Sequence, residues 1–469
     1  MFFYLIVFFS AGFVALDMLH RRVRTRSAAL RAGVSALKIA CGILGFCYLR
    51  PVLQGFASTN PWLALAGASG IAVLVANAHG YRPAARAFLA VRWLFIIGLP
   101  VSSLWFVVFY NTRDDCARVM SDARIRPLLS TCAPHTVNGL QRRFPDQDWK
   151  TVLRNLQPRS VFLSTKPGFA YIGTGNEEQH EPVQILGLVD RRDGRLARAQ
   201  SAPAVFRGYC DPATQKCTAA ISGSSELYVF DDATGKREKT IKFPVRPRFM
   251  LHPPDSRILY VGGDRDPIVS VFDLDSFSVI SHGRGLAGHR GVALKCLGDD
   301  QDQGMTFMAF NTKTRELNIT PECPIYNTLL LRTSLDTRTS EHFNLGFFNH
   351  LWSMGYFLGM EIDPDLNEIY IASPLSGSVY IYDYQTLQLK HSIRVGVGLR
   401  ETTYDPRRKL LFAGQYVNGY LYVIDMRARA IRGRIFIGKR NRQILFDPDT
   451  DRVLTTSANG FLDVDVSGF

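Results

Sequence analysis

The chain has 469 residues, too many for one ordinary domain and enough to bury a substantial core. Its formal net charge is +14, and +9 of that charge falls in residues 1–111, which hold ten Lys and Arg residues and a single acid, Asp17. No basic run with interleaved aromatic residues occurs in the rest of the sequence. The high pI is therefore not the mark of a nucleic-acid-binding protein, and we expect no nucleic-acid partner.

Four apolar stretches in residues 1–111 predict a transmembrane domain of four helices, at about 1–18, 34–49, 62–78 and 91–110. Each approaches the ~20 residues that cross ~30 Å of hydrocarbon. Arginines concentrate in the first and third connections, Arg21–Arg31 and Arg82–Arg86, which the positive-inside rule places in the cytoplasm. The prediction is a multi-pass protein of the bacterial inner membrane, in contact with the lipid bilayer, whose N-terminus and C-terminal part are periplasmic. A cleaved signal peptide is the less favoured alternative, because the basic cluster follows the first apolar stretch instead of preceding it.

Six cysteines lie beyond residue 111, as the sequence neighbours Cys116/Cys132, Cys210/Cys217 and Cys296/Cys323. An even number of cysteines in a segment that the arginines place outside the cytoplasm predicts three disulfides. A zinc site would require two close pairs at ligand spacing or histidine partners, and the sequence has neither.

Beyond residue 158 a strand-like unit recurs, an aromatic and β-branched run that ends in aspartate. An Asp-Pro turn that leads into a strand recurs with it, and the step from Pro364 to Pro406 and on to Pro448 is 42 residues both times. About four short strands in ~42 residues correspond to one blade of a β-propeller. Seven copies predict seven blades within residues 159–469, with strand-ending aspartates at Asp190, Asp231, Asp273, Asp336, Asp383, Asp425 and Asp465.

The last copy stops four residues after its aspartate, so its outer strand is missing. We expect a segment within 136–159 to supply that strand and close the ring. Residues 112–158 are accordingly predicted to be a disulfide-bearing connector that includes the ring-closing strand.

The strand end Tyr/Val-Ile/Phe-Asp and the Asp-Pro turn resemble the YVTN-type bacterial β-propeller repeat, which is similar to WD-type propellers. The resemblance covers about residues 159–469, and the fourth blade departs from it through a 63-residue interval that holds Cys296 and Cys323. It implies a binding platform, since such propellers are only occasionally enzymes. The fold class predicted for the whole chain is a four-helix transmembrane domain followed by an all-β seven-bladed β-propeller.

Arginines recur five or six residues before the Asp-Pro turn, where the innermost strand of a blade begins. Guanidinium groups bind carboxylates and phosphates in a forked geometry, and a ring of them attracts anions. The predicted axial anion site consists of Arg207, Arg248, Arg400 and Arg442, with Arg159 and Arg290 added by a looser alignment. The alternative is that each arginine pairs with an acid of its own or the next blade, and Glu401 is the obvious candidate.

The segment from His342 to Phe357 is dense in aromatic residues and lies in the lengthened region between two blades. Protein interfaces are rich in such residues, so we predict a partner surface formed by Phe343, Phe347, Phe348, Trp352, Tyr356 and Phe357. The alternative is that these side chains fill the core between blades.

The sequence contains no Gly-x-Ser-x-Gly, no phosphate-binding loop and no His-Glu-x-x-His. We therefore predict no catalytic residue, no metal and no cofactor. The expected function is that of a membrane-anchored binding or scaffold subunit, assembled with other membrane or extracytoplasmic proteins. The alternative is a hydrolase or lactonase-like propeller with an axial metal, for which Glu361 and Glu401 are the acids that the sequence places near the axis.

Overall fold

The computed structural model describes residue 34 and residues 115–143, 145–146, 160–174, 185–221, 224–243, 246–264, 269–283, 304–322, 329–334, 340–345, 357–374, 376–396 and 398–469. The chain divides into two compact units. One unit consists of Met1–Arg113, Gly346–Gly355 and Leu375–Gly377, and nearly all of it lies outside the described residues. The other consists of Asp114–Leu345, Tyr356–Pro374 and Ser378–Phe469 and forms the propeller.

Seven antiparallel sheets of four strands each make up the propeller, which confirms the predicted number of blades. Blade 1 contains β2–β5, at Ser160–Leu163, Phe169–Gly173, Ile185–Asp190 and Leu196–Ser201. Blade 2 contains β6–β9, at Val205–Asp211, Lys216–Ile221, Glu226–Asp231 and Arg237–Lys242. Blade 3 contains β10–β13, at Arg246–Leu251, Ile258–Asp264, Val269–Asp273 and Ser278–Gly283. Blade 4 contains β14–β17, at Gly304–Asn311, Glu316–Glu322, Leu329–Ser334 and Ser340–Asn344.

Blades 5 and 6 have the most regular spacing. Blade 5 contains β18–β21, at Gly359–Asp363, Glu368–Ser373, Ser378–Asp383 and Leu389–Arg394. Blade 6 contains β22–β25, at Leu399–Asp405, Leu410–Gln415, Tyr420–Asp425 and Ala430–Phe436. Blade 7 contains β26–β28, at Ile444–Asp447, Arg452–Ser457 and Gly460–Asp465, and β1, at Ile125–Ser130.

The ring closes through β1, which pairs with β28 as the outer strand of blade 7. This strand lies within the predicted connector, 112–158, but ahead of the narrower range, 136–159, in which we expected it. Two helices flank it, α1 (Cys116–Val119) and α2 (Pro134–Arg143). The innermost strands contact one another in sequence around the axis, and β26 of blade 7 contacts β2 of blade 1.

The recurring aspartates are explained by local hydrogen bonds in the turns. Asp211, Asp363, Asp405 and Asp447 end innermost strands, and each accepts the backbone N–H of the residue two positions on. Among the aspartates that end third strands, four do the same: Asp190, Asp273, Asp383 and Asp465. Asp231 and Asp425 accept the N–H of the residue three positions on. An Asp side chain thus replaces a backbone acceptor in a tight turn, which is why the pattern was visible in the sequence.

Apolar contacts hold neighbouring blades together. In one buried cluster Leu227 and Val229 of blade 2 pack against Leu259 and Val261 of blade 3, and burial stabilises each such side chain by about 1.5–3 kcal/mol. Such a cluster lies between every pair of neighbouring blades.

The predicted fold class is wrong in its first half. In the described part of the chain no helix is long and apolar enough to cross a membrane, and its two complete helices have four and ten residues. The four predicted spans, apart from Val34, lie outside the described residues. What the structure supports is an all-β seven-bladed propeller.

Two of the three predicted disulfides are confirmed. Cys210 and Cys217 are directly opposite each other on β6 and β7, with their Cα atoms 3.9 Å apart. The bridge between Cys116 and Cys132, with a Cα–Cα distance of 5.1 Å, ties the start of α1 to the turn after β1. The third pair, Cys296 and Cys323, lies outside the described residues.

Candidate functional site

The innermost strands begin at one mouth of the axial channel, and three of the predicted arginines lie on them. Arg207 is on β6, Arg248 on β10 and Arg400 on β22, while Arg442 precedes β26 by two residues. Arg159 and Arg290 lie outside the described residues.

An ion pair crosses the axis at this mouth. The Arg207 guanidinium donates to the Glu401 carboxylate at 2.6 Å, and the two side chains are only 16% and 10% exposed. Arg207 belongs to blade 2 and Glu401 to blade 6, which are separated by two blades along one arc of the ring and by three along the other. The pair therefore spans the channel instead of joining adjacent blades.

Glu401 also links blade 6 to blade 7, since its second carboxylate oxygen accepts the backbone N–H of Ile444 at 3.3 Å. Gln443 makes the corresponding link from blade 7 to blade 1. Its side-chain amide accepts the N–H of Val161 and donates to the carbonyl of the same residue, both at 3.0 Å. These polar contacts close the ring on its inner side.

The blades can be aligned on the residue that precedes the proline of each turn. Glu401 and Gln443 then occupy the same position as Arg207 and Arg248, four residues before it. Arg400 and Arg442 stand one residue earlier. The sequence alignment therefore merged two successive strand positions. Arg207 does pair with Glu401, the acid singled out in the sequence, but the pair joins blades 2 and 6 and not one blade to itself or to the next.

Two of the other predicted arginines lie against aromatic rings. The guanidinium carbon of Arg248 is 5.0 Å from the ring centroid of Phe206 and 5.5 Å from that of Phe249. That of Arg400 is 5.5 Å from the ring centroid of Tyr416. Cation–π contacts of this kind keep a guanidinium in place while leaving its N–H edge to make hydrogen bonds. The sequence analysis did not identify these aromatic rings. Phe206 and Phe249 are each next to a recurring arginine in the sequence, and Tyr416 directly follows β23, the strand after the one that carries Arg400.

Glu361 is the second glutamate of the described innermost strands. It lies on β18 of blade 5 and is half-buried. Gly359, two residues earlier, allows β18 to approach blade 6 closely, because a Cβ atom there would lie 2.7 Å from Oγ1 of Thr402. Burial, and to a smaller extent the nearby Glu401 carboxylate, raise the pKa of Glu361 to about 8, and a hydrogen bond with Thr402 opposes part of that rise. Burial also raises the pKa of Glu401, while Arg207 and Arg400 oppose that rise.

The predicted aromatic surface is divided by the structure. Phe357 is fully buried in the cluster that joins blades 4 and 5, and the half-buried Phe343 packs against the same cluster. These two side chains therefore belong to the core between blades, the alternative that the sequence left open. Phe347, Phe348, Trp352 and Tyr356 lie outside the described residues.

Potential metal ligands come together at one place within the described ranges, where the sulfurs of Cys210 and Cys217 lie near the Asp232 carboxylate. The two sulfurs are bonded to each other, and Asp232 accepts hydrogen bonds from Ser164 and Thr165 of blade 1. These groups are therefore engaged in structural contacts. At the mouth, Glu361 and Glu401 are joined by no third acid, histidine or cysteine among the described residues.

No protein-family model matches this chain, and no curated protein matches it either.

Proposed function

We propose that the propeller is a binding platform whose axial mouth recognises an anionic ligand, most simply an acidic segment of a partner protein. The observation that carries the proposal is the balance of charge at the mouth. Arg207, Arg248 and Arg400 come from the innermost strands of three different blades. The described innermost strands carry two glutamates, of which Glu401 is paired with Arg207 and Glu361 has a pKa of about 8 and is mostly uncharged at neutral pH.

A channel with low-dielectric walls concentrates the field of such cations and raises the local concentration of anions. Burial makes each guanidinium–carboxylate hydrogen bond stronger than it is in bulk water. A ligand is expected to bind at this mouth, where the Arg207–Glu401 pair crosses the channel. The role proposed is recognition without catalysis.

Binding of a labelled oligoglutamate peptide tests the proposal. The parent protein is expected to bind the peptide with an affinity that falls as salt rises, because screening weakens charge–charge attraction. The double replacement Arg248→Gln and Arg400→Gln should weaken binding by about tenfold or more, the effect of losing charge-assisted hydrogen bonds.

Arg432→Gln is the matched control, because Arg432 is exposed on β25, the outermost strand of the blade that carries Arg400. It removes one positive charge from that blade and should leave binding unchanged. Equal binding by the double variant and the parent, with both correctly folded by circular dichroism, would show that the arginines are structural.

We also propose that the propeller works in an oxidising compartment outside the cytosol. The two disulfides support this location, since such bonds persist mainly where thiols are not kept reduced. Trapping free thiols with an alkylating agent in intact cells tests it. Labelling of the four bridged cysteines before any reductant is added would contradict the proposal.

A further inference from the structure

We infer that Glu401 is an intramolecular competitor at the axial mouth, which occupies Arg207 in the place that a carboxylate of the ligand takes when it binds. The inference rests on the proposed function and names the ligand more closely, as a carboxylate group, because the mouth already accommodates one. Binding then includes an exchange, in which the carboxylate of the partner replaces that of Glu401 on the Arg207 guanidinium.

The Arg207–Glu401 pair resembles a complex of the mouth with a carboxylate ligand. Nη2 of Arg207 donates to Oε1 of Glu401 at 2.6 Å, and the two residues lie on the innermost strands of blades 2 and 6. They are 194 positions apart in the sequence, and their blades are not neighbours in the ring. The carboxylate of Glu401 therefore meets Arg207 only across the channel, which is where the ligand is expected to bind.

A second arginine lies close to the first. The guanidinium carbons of Arg207 and Arg248 are 5.8 Å and 5.5 Å from the centroid of the same aromatic ring, that of Phe249. Glu401 contacts Arg207 through one oxygen, while its other oxygen is held by the Ile444 N–H. A carboxylate of the ligand is not tied to that amide, so both of its oxygens are available to guanidinium groups. This gives the ligand an advantage over Glu401 at Arg207.

The exchange costs little because neither charge is left alone. A buried ion pair is strongly destabilised when one partner is removed, but in the exchange Arg207 passes from one carboxylate to another. Glu401 keeps the Ile444 N–H at 3.3 Å. It also keeps the influence of Arg400, the preceding residue: burial raises the pKa of Glu401, and the charges of Arg207 and Arg400 oppose that rise.

Binding of a labelled oligoglutamate peptide to the full chain tests the exchange. Glu401→Gln removes the competing charge but keeps a side-chain oxygen that accepts the Ile444 N–H. With Arg207 released, we expect about tenfold tighter binding than in the parent, the effect of one additional charge-assisted hydrogen bond. Glu238→Gln is the matched control, because it removes one negative charge from the outer strand β9, where Glu238 pairs with Lys216 at 2.7 Å. It should bind the peptide as the parent does.

A double-mutant cycle separates the exchange from a general loss of repulsion. Removal of a nearby negative charge strengthens anion binding whatever its partner, whereas the exchange requires Arg207. In an Arg207→Gln background, the gain from Glu401→Gln is therefore expected to fall from about tenfold to about twofold or less. The double variant leaves no unpaired charge and is expected to fold. A gain of equal size with and without Arg207 overturns the inference.

Glu401→Asp serves as a second variant if Glu401→Gln does not fold. It keeps the negative charge and shortens the side chain by one methylene group, which draws the carboxylate away from Arg207. Tighter binding of oligoglutamate than in the parent is expected, because the competing contact is weakened while the net charge is unchanged. Binding equal to or weaker than that of the parent overturns the inference.

The possible results separate the inference from the proposed function. Oligoglutamate binding that depends on Arg248 and Arg400 but does not increase in Glu401→Gln overturns the exchange and leaves the proposed function standing. Absence of binding by the parent and by Glu401→Gln alike overturns both. An equal increase in Glu401→Gln and in the control Glu238→Gln assigns the gain to net charge and overturns the inference alone.

Discussion

Removal of the Arg191 guanidinium is predicted to be the most damaging single change outside the apolar contacts. Arg191 follows β4 of blade 1 and reaches across the closure of the ring to blade 7. It donates to Asp447 at 2.5 Å and to Asp463 at 3.1 Å, and all three side chains are at most 5% exposed. A third hydrogen bond goes to Thr450 at 3.1 Å.

Arg191→Met retains much of the side-chain volume but leaves two buried carboxylates short of a counter-charge. Breaking a buried ion pair in this way costs about 3–5 kcal/mol. Asp463 still has Arg452 at 2.7 Å, so the loss falls mainly on Asp447. Chemical denaturation at pH 7, followed by tryptophan and tyrosine fluorescence, measures the change in the free energy of unfolding.

The pH dependence identifies the cause. In the parent, burial raises the pKa of Asp447, but hydrogen bonds from Thr450 and Arg191 outweigh it and hold the pKa below its usual value. Its stabilisation is therefore present above the unfolded-state pKa of about 3.9 and is lost as the pH falls through the lower folded value. Without Arg191 burial dominates and the pKa rises, so the deficit should be largest at pH 7 and shrink toward pH 4.

Arg192→Met is the matched control, because Arg192 is the next residue and its pairing with Asp190 leaves its side chain 76% exposed. Its stability should equal that of the parent within error. The reasoning would be refuted if Arg191→Met were no less stable than this control, or if its deficit were independent of pH.

Two further predictions concern the closure of the ring. Replacing Cys116 and Cys132 by alanine should lower the free energy of unfolding by about 3 kcal/mol, because their bridge closes a separation of 16 residues next to β1. Denaturation of parent and variant, each with and without reductant, measures this change. Equal stability of the two proteins without reductant would contradict the prediction. Gln443→Ala removes both hydrogen bonds to the Val161 backbone and should lower the free energy of unfolding by about 1–3 kcal/mol. Thermal unfolding of this variant, compared with the exposed-site variant Arg432→Gln, tests the prediction. An unchanged midpoint temperature for Gln443→Ala would show that the Val161 backbone finds other partners.

The sequence by itself determined the features that depend on local chemistry. The number of blades could be read from it because Asp211, Asp363, Asp405 and Asp447 each accept a hydrogen bond from their own turn. The bridge between Cys210 and Cys217 could be predicted for the same reason, since a short turn places the two residues opposite each other on adjacent strands. The hydropathy pattern was a poorer guide. It predicted a four-helix domain, whereas the described residues support only the propeller as the fold class.

Only the tertiary structure decided which distant groups meet. The closing strand is Ile125–Ser130, paired with a strand more than three hundred residues later, and short β-rich segments carry no local signal of their partner. Arg207 meets Glu401 across 194 positions of sequence, and Gly359 lets β18 approach Thr402 of the neighbouring blade closely. A pattern of arginines shows where innermost strands begin, but the charge that each one faces depends on how the ring closes.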